Sequence, residues 1–243
     1  MKDKFRWCAL VSGGGSTMDK LNSACKNGLA NAELVAVIAS KADIGAIVKA
    51  RIAGLEEKHL LVIDPSLCET EEQFGEKILR ACISRHVDAI AQLGWLPKTP
   101  KNVIKRYAGK MWNQHPGPLD PGHKRDFGGE GMFGRRVHHA RLAYCRTIGA
   151  DYWTEATAQK VDAEFDRGAI LNSKRLLIRA DHDTSSLQEE LLPIEHAVQM
   201  GTLVDFVNNR VTEKPRTERL VKKEHRFALE MAKTTACMMW PKG

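Results

Sequence analysis

Short apolar runs alternate with amphipathic stretches through the first hundred residues of the chain. Residues 5–12, FRWCALVS, are almost unbroken in apolar character and predict a buried strand, after which SGGGST opens a helix over roughly Thr17–Asn27. AELVAVIAS (32–40) predicts a second strand, followed by a helical stretch near Ala46–Ala53, and HLLVID (59–64) predicts a third strand. From Glu69 to His86 the spacing is helical, with Phe74, Ile78, Leu79 and Cys82 on one side. VDAIAQLGW (87–95) predicts a fourth strand, stopped at Gly94. Strands that are apolar on both faces and separated by helices belong in a parallel sheet covered on both sides. The expected class is therefore α/β, a doubly wound and mostly parallel sheet flanked by helices.

Beyond Asn113 the texture changes. Residues 116–136 are dense in Gly and Pro and predict a long ordered loop. GRRVHHARLAY (134–144) predicts a short helix, and ATAQKVDAEF and AILNSKRLLI (156–178) two strands separated by the turn DRG. Asp183–Ser186 offers several N-caps for a helix running to about Asn208, which Pro193 is expected to kink or break.

Charge sharpens this picture at one end. The net charge is +7, but residues 212–243 hold eight Lys/Arg against four Glu, leaving only +3 for the other 211 residues. The surplus belongs mainly to the tail. Large residues there (Leu220, His225, Phe227, Leu229, Met231) form no clean stripe; the tail reads as a docked terminal helix, with a basic arm contacting RNA as the alternative. No apolar run reaches the ~18 residues of a membrane span, and the apolar stretch at the N-terminus is too short for a signal peptide. The six cysteines show no CxxC pairing and four sit in apolar contexts, which favours reduced, buried thiols over disulfides or zinc and points to a cytoplasmic protein.

Candidate chemistry is concentrated in NQHPGPLDPG (113–122). Three prolines stiffen this loop. Asn113 and His115 lie two apart, so in an extended segment their side chains leave the same face. An amide that binds a developing oxyanion beside an imidazole that moves a proton suits acyl-group chemistry. Asp166, in AEFDRGAI, is a carboxylate able to orient that imidazole; it is equally a turn-forming Asp before Arg-Gly, and His115 equally a solvated turn residue. SGGGST is a candidate anion loop or simply a tight turn from strand to helix, and it fits neither the P-loop pattern nor G-x-G-x-x-G.

Taken in order, S-G-x-G-S, L-G-W closing the fourth strand, Y-A-G-K-M-W-N-x-H-P, V-D-x-E-x-D-x-G and I-E-H-A resemble the folate-dependent formyltransferases, over about Ala9 to Val211. GGEGMFGRRVHHA (128–140) is similar to a Gly-rich loop found in many bacterial members. The resemblance implies a Rossmann-like formyltransferase fold, with residues 1–211 as catalytic domain and 212–243 as a basic tail. It implies transfer of the formyl group of 10-formyltetrahydrofolate, without a metal, to the amine of glycinamide ribonucleotide in purine synthesis. Asn113 matches the formyl-oxygen-binding asparagine, His115 the catalytic histidine and Asp166 its supporting aspartate. Gly15, Ser16 and Thr17 fall on the loop that holds the substrate phosphate, and Glu195 on the acidic residue that contacts the ribose. Leu96, Pro97, Lys98 and Thr99, with Asp162–Asp166, correspond to segments around the pterin ring.

Departures from the pattern are specific. Thr17 stands for the usual Asn, while Glu71 and Pro97 stand where relatives often carry Arg. His138 reads as a further site residue, His139 as solvated, and Trp95 and Trp112 as core rather than cleft. The implied partners are the two small molecules, with a homodimer as the assembly and neither membrane nor nucleic acid. Alternatives are formylation of another amine, hydrolysis of formyl-folate, and a weakly catalytic body that binds RNA or a partner through the tail.

Overall fold

The computed structural model describes residues 3–243 and divides into two units. The first runs to Gln114 and takes in Gln199–Val211; the second holds His115–Val198 and Thr212–Gly243.

In the first unit, β1 (Phe5–Val11), β2 (Ala32–Ala39), β3 (Leu60–Val62), β4 (Ala89–Gln92) and β5 (Met111–His115) lie in the order β3-β2-β1-β4-β5. Every neighbouring pair is parallel. β1, β2 and β4 are buried along nearly their whole length, which is why they read as continuous apolar runs. The expected third strand shortens to three residues at the sheet edge. The crossovers carry α1 (Ser16–Lys26), α2 (Gly45–Ile52), α3 (Glu71–Ile83) and α4 (Lys101–Arg106). Thr70 caps α3 by accepting from the Gln73 amide, and the Gln73 side chain reaches back to the Glu69 N–H. Trp95 stacks on Phe74 at 6.1 Å and Trp112 on Phe206 at 4.8 Å, so both tryptophans are core.

Because the chain returns from β3 to place β4 beside β1, the loops leaving these two strands diverge at the switch point of the sheet, where ligands of open α/β sheets bind. Ser12 ties these loops together. Its N–H donates to Gly94 O (2.9 Å), its hydroxyl accepts from the Leu96 N–H (3.0 Å), and it meets Ser40 Oγ at 2.8 Å.

The second unit is built on the antiparallel pair β6 (Trp153–Lys160) and β7 (Ile170–Leu177), with α5 (Arg135–Ile148), the first part of α6 (Thr184–Val207) and α7 (Arg226–Met239). β6 starts earlier than its sequence pattern suggests and stops at Lys160, leaving VDAEF as a turn. The expected break at Pro193 does not occur: α6 continues through it. Pro193 is exposed and removes only its own N–H from the ladder, while Leu187 and Leu191 before it, and Val198 after it, are buried and hold the helix. α7 buries Leu229, Ala232 and Ala236 in a core shared with Val137, Ala140, Tyr144 and Leu187. Two of those three anchors are alanines, so no stripe of large residues marks the face.

Gly15, at φ +68°, is the left-handed residue before α1, and a Cβ on it would lie 2.6 Å from both Ala46 Cα and Ala46 Cβ. Gly15→Ala should therefore lower stability by about 1–3 kcal/mol in urea titrations. Gly13→Ala, whose Cβ would meet nothing within 4 Å, serves as the near-neutral comparison.

Candidate active site

His115 ends β5 and is 2% exposed. Its Nδ1 lies 3.1 Å from Gly117 O, a carbonyl that can only accept, so Nδ1 carries the proton. Thr157 Oγ1 donates to the same carbonyl at 2.9 Å. The other ring nitrogen, Nε2, has no hydrogen-bond partner and stands 3.7 Å from Asp166 Oδ2. A ring protonated at both nitrogens faces one acceptor with each donor. A neutral ring with its proton on Nδ1 turns a bare nitrogen toward the carboxylate.

Asp166 is fixed at both oxygens. Gln159 Nε2 donates to Oδ1 at 2.6 Å and the Gly129 N–H donates to Oδ2 at 2.9 Å. Its own backbone is left-handed, φ +56°, in the turn between β6 and β7. Gly128 has no room for a side chain, since a Cβ there would come within 2.5 Å of Leu119 Cδ2 and 2.7 Å of Asp166 Cβ. Asp126, buried, accepts from the N–H groups of Asp120 (2.8 Å) and Gly128 (3.0 Å) and from both arms of Arg167 (2.9 and 3.2 Å). The sequence alone pointed to none of Gln159, Asp126 or Arg167. The nearest signal was Arg167 inside DRG, which passes for ordinary turn chemistry.

His138 lies on α5, 1% exposed, with no partner for Nδ1. Burial, helped by the charge on His115, pushes its pKa down to about 3, so it is a neutral neighbour of the His115 ring. His139 is half-buried and meets Thr184 Oγ1 at 3.3 Å.

Asn113 precedes His115 by two residues on β5, half-buried and paired in register with Gln92 of β4. In the first unit Gly13 and Gly14 are exposed, and Lys49 Nζ donates to Gly14 O at 2.8 Å. Ser16 opens α1, whose first N–H groups have no acceptor within the helix, and Thr17 is buried in its first turn. Leu96 is 46% exposed beside exposed Lys98, with Pro97 half-buried between them, whereas Thr99 is buried and its hydroxyl accepts from Gln92 Nε2. Asp162 is exposed and accepts from the Ala163 N–H. Glu195 is buried on α6. Glu71 occupies the first turn of α3, where a carboxylate suits the helix dipole, and accepts from the Lys101 N–H at 3.3 Å. Among the described residues no group of three or more His, Cys, Asp or Glu is placed to hold a metal ion, and no helix is long and apolar enough to cross a membrane.

The geometry is an Asn-x-His on β5, with Asp166 Oδ2 3.7 Å from His115 Nε2. Residues 5–203 match the family model described as formyl transferase, and the chain belongs to that family. It is 27% identical over 202 residues to the chloroplastic phosphoribosylglycinamide formyltransferase of Arabidopsis thaliana, covering 83% of this chain and 65% of that one. It is 22% identical over 204 residues to the phosphoribosylglycinamide formyltransferase of Escherichia coli K12, covering 83% and 87%. The crystal structure of glycinamide ribonucleotide transformylase 1 from Symbiobacterium toebii matches with a TM-score of 0.76 at 20% identity, over 89% of this chain and 93% of that one. The chain thus spans just under two thirds of the length of the plant relatives it matches.

The buried His138 sets a pH dependence. Between its ordinary value of 6.5 and about 3, the unfolded chain binds a proton that the folded chain refuses, so acid favours unfolding. The loss amounts to at most ~1.4 kcal/mol per pH unit across that window. Urea unfolding at pH 7 and pH 4.5 should show a smaller acid loss for His138→Gln than for the parent; equal losses would place that proton elsewhere.

Proposed function

We propose that this protein transfers the formyl group of 10-formyltetrahydrofolate to the amine of glycinamide ribonucleotide, in a cytoplasmic setting. The observation that carries the reading is the His115–Asp166 pair, with Nδ1 committed to Gly117 O and Nε2 turned to the carboxylate. The names of the relatives support the same acceptor.

The amine attacks the formyl carbon, and negative charge gathers on the formyl oxygen. Asn113 donates to that oxygen through its side-chain amide, with the protonated His115 ring adding positive charge beside it. The ring, or a water it holds, moves the proton shed by the attacking nitrogen to N10 of the departing folate, so the C–N10 bond breaks without expelling an anion. Asp166, held at both oxygens, orients the ring. The N-terminal N–H groups of α1, with the Gly13–Gly15 loop before them, take the phosphate, and Glu195 takes a ribose hydroxyl. The family resemblance assigns Leu96–Thr99 and Asp162–Asp166 to the pterin; Leu96 presents an exposed apolar side chain suited to a flat ring. With Thr17 buried, phosphate binding rests on backbone donors, and the missing arginines at Glu71 and Pro97 raise KM rather than lower kcat.

Purified protein mixed with both substrates should consume formyl-folate only when the ribonucleotide is present. Asn113→Ala should cost ~10²–10³ in kcat and His115→Ala ~10²–10⁴. Amine-independent turnover would instead identify a formyl-folate hydrolase, and absence of turnover with tight folate binding would identify a different acceptor.

A further inference from the structure

Lys233 lies on α7, outside the residues matched by the family model. Its Nζ donates to Gly128 O at 2.6 Å and to Asp126 O at 3.3 Å. These carbonyls belong to the turn whose Gly129 N–H grips Asp166 Oδ2, the oxygen facing His115 Nε2. The turn is tight on every side. Asp126 and Arg167 fork beneath it, and the missing side chain of Gly128 lets it touch Asp166. Lys233 is half-buried, and that partial burial lowers its pKa from the usual lysine range against the pull of Asp126.

The rest of the C-terminal segment is anchored to the same loop. The Leu220 N–H donates to Asp120 Oδ2 at 2.9 Å, and Arg216 Nε donates to Leu119 O. Arg136, just after the loop, donates to Trp240 O and Pro241 O, each at 2.7 Å. These anchors fix where α7 stands, and hence where the Lys233 ammonium stands.

We propose that Lys233 is a positioning residue for the reaction: by holding the carbonyls of Asp126 and Gly128 it aims the Gly129 N–H at Asp166 and so sets the Asp166–His115 separation. The proposal rests on the formyl-transfer reading for its kinetic consequence, but not for its structural one. A displacement of ~1 Å at a reacting group costs on the order of 10²-fold in rate.

The test is made on the chain of residues 1–243. Lys233→Met should lower kcat 10–100-fold on this scale, with KM for each substrate within about threefold. In an Asp166→Asn background the same substitution should add no further loss, because its effect runs through Asp166. Lys222→Met, at an exposed position on the same segment, should leave kcat unchanged. Without reference to turnover, the Gly129 amide resonance in a 1H–15N spectrum should shift and its hydrogen exchange accelerate in Lys233→Met. Should that variant not fold, Lys233→Gln, whose shorter arm does not reach the two carbonyls, takes its place under the same outcomes. Unchanged kcat, a loss that multiplies with that of Asp166→Asn, or an unmoved Gly129 amide would each overturn the proposal. A parent protein that turns over nothing while its Gly129 amide responds to Lys233 would sink the reaction assignment and leave the positioning role standing.

Discussion

Everything at this centre depends on one buried carboxylate. The stretch from Pro116 to Gly134 contains no helix or strand, so its buried N–H groups need partners other than a ladder. Asp126 supplies them, accepting from Asp120 and Gly128 while Arg167 closes on it with both arms. Arg167 directly follows Asp166 in sequence, so the fork that shapes the loop also pins the left-handed turn from which Asp166 meets His115. Burying such a pair contributes little net stability, because desolvation offsets the attraction. What it supplies is a single geometry for a segment that otherwise has many.

The two halves of the chain differ in how much of this was readable beforehand. β1, β2 and β4 were legible because a strand covered on both faces must be apolar throughout. The Asn113–His115 spacing was legible because it is set within one strand. Asp120 and Asp126 were not, because in one dimension a carboxylate that gathers several N–H groups looks like any acidic turn residue. α7 was half-legible: a helix was expected, but its docking face is built from Leu229, Ala232 and Ala236, and small residues leave no periodic mark. At Pro193 the break, one of the two outcomes expected there, did not follow. A local rule was strong, and the buried residues on either side of it outweighed that rule.

Charge shows the same limit. The surplus in residues 212–243 left a basic arm as the alternative to a docked helix, yet its cations divide by direction. Arg216 turns to the buried Glu155, Lys214 donates to Asn172 Oδ1 at 3.2 Å, and Lys233 is spent on backbone carbonyls. Lys222, Lys223 and Arg226 stay in solvent. Glu155 itself is pushed up from the usual carboxylate range by burial, with Arg216 and Arg175 pulling against that shift. Several of the tail's charges therefore act as structural donors, and a net sum over the segment does not measure what a partner would meet.

The prolines of the NQHP loop have a related explanation. Pro116 and Pro118 flank Gly117, whose carbonyl holds His115 Nδ1. A Cβ on Gly117 would fall 2.3 Å from Val137 Cγ1 and 3.4 Å from the His115 ring, so glycine is required for α5 to close over the imidazole. Glycine alone would leave the segment loose, and the prolines on either side remove that freedom. Close approach and stiffness are thus assigned to different residues in one tripeptide. With Nδ1 committed by that tripeptide, Nε2 is the nitrogen left to meet Asp166, and the orientation of the ring is set by backbone geometry rather than by a mobile side chain.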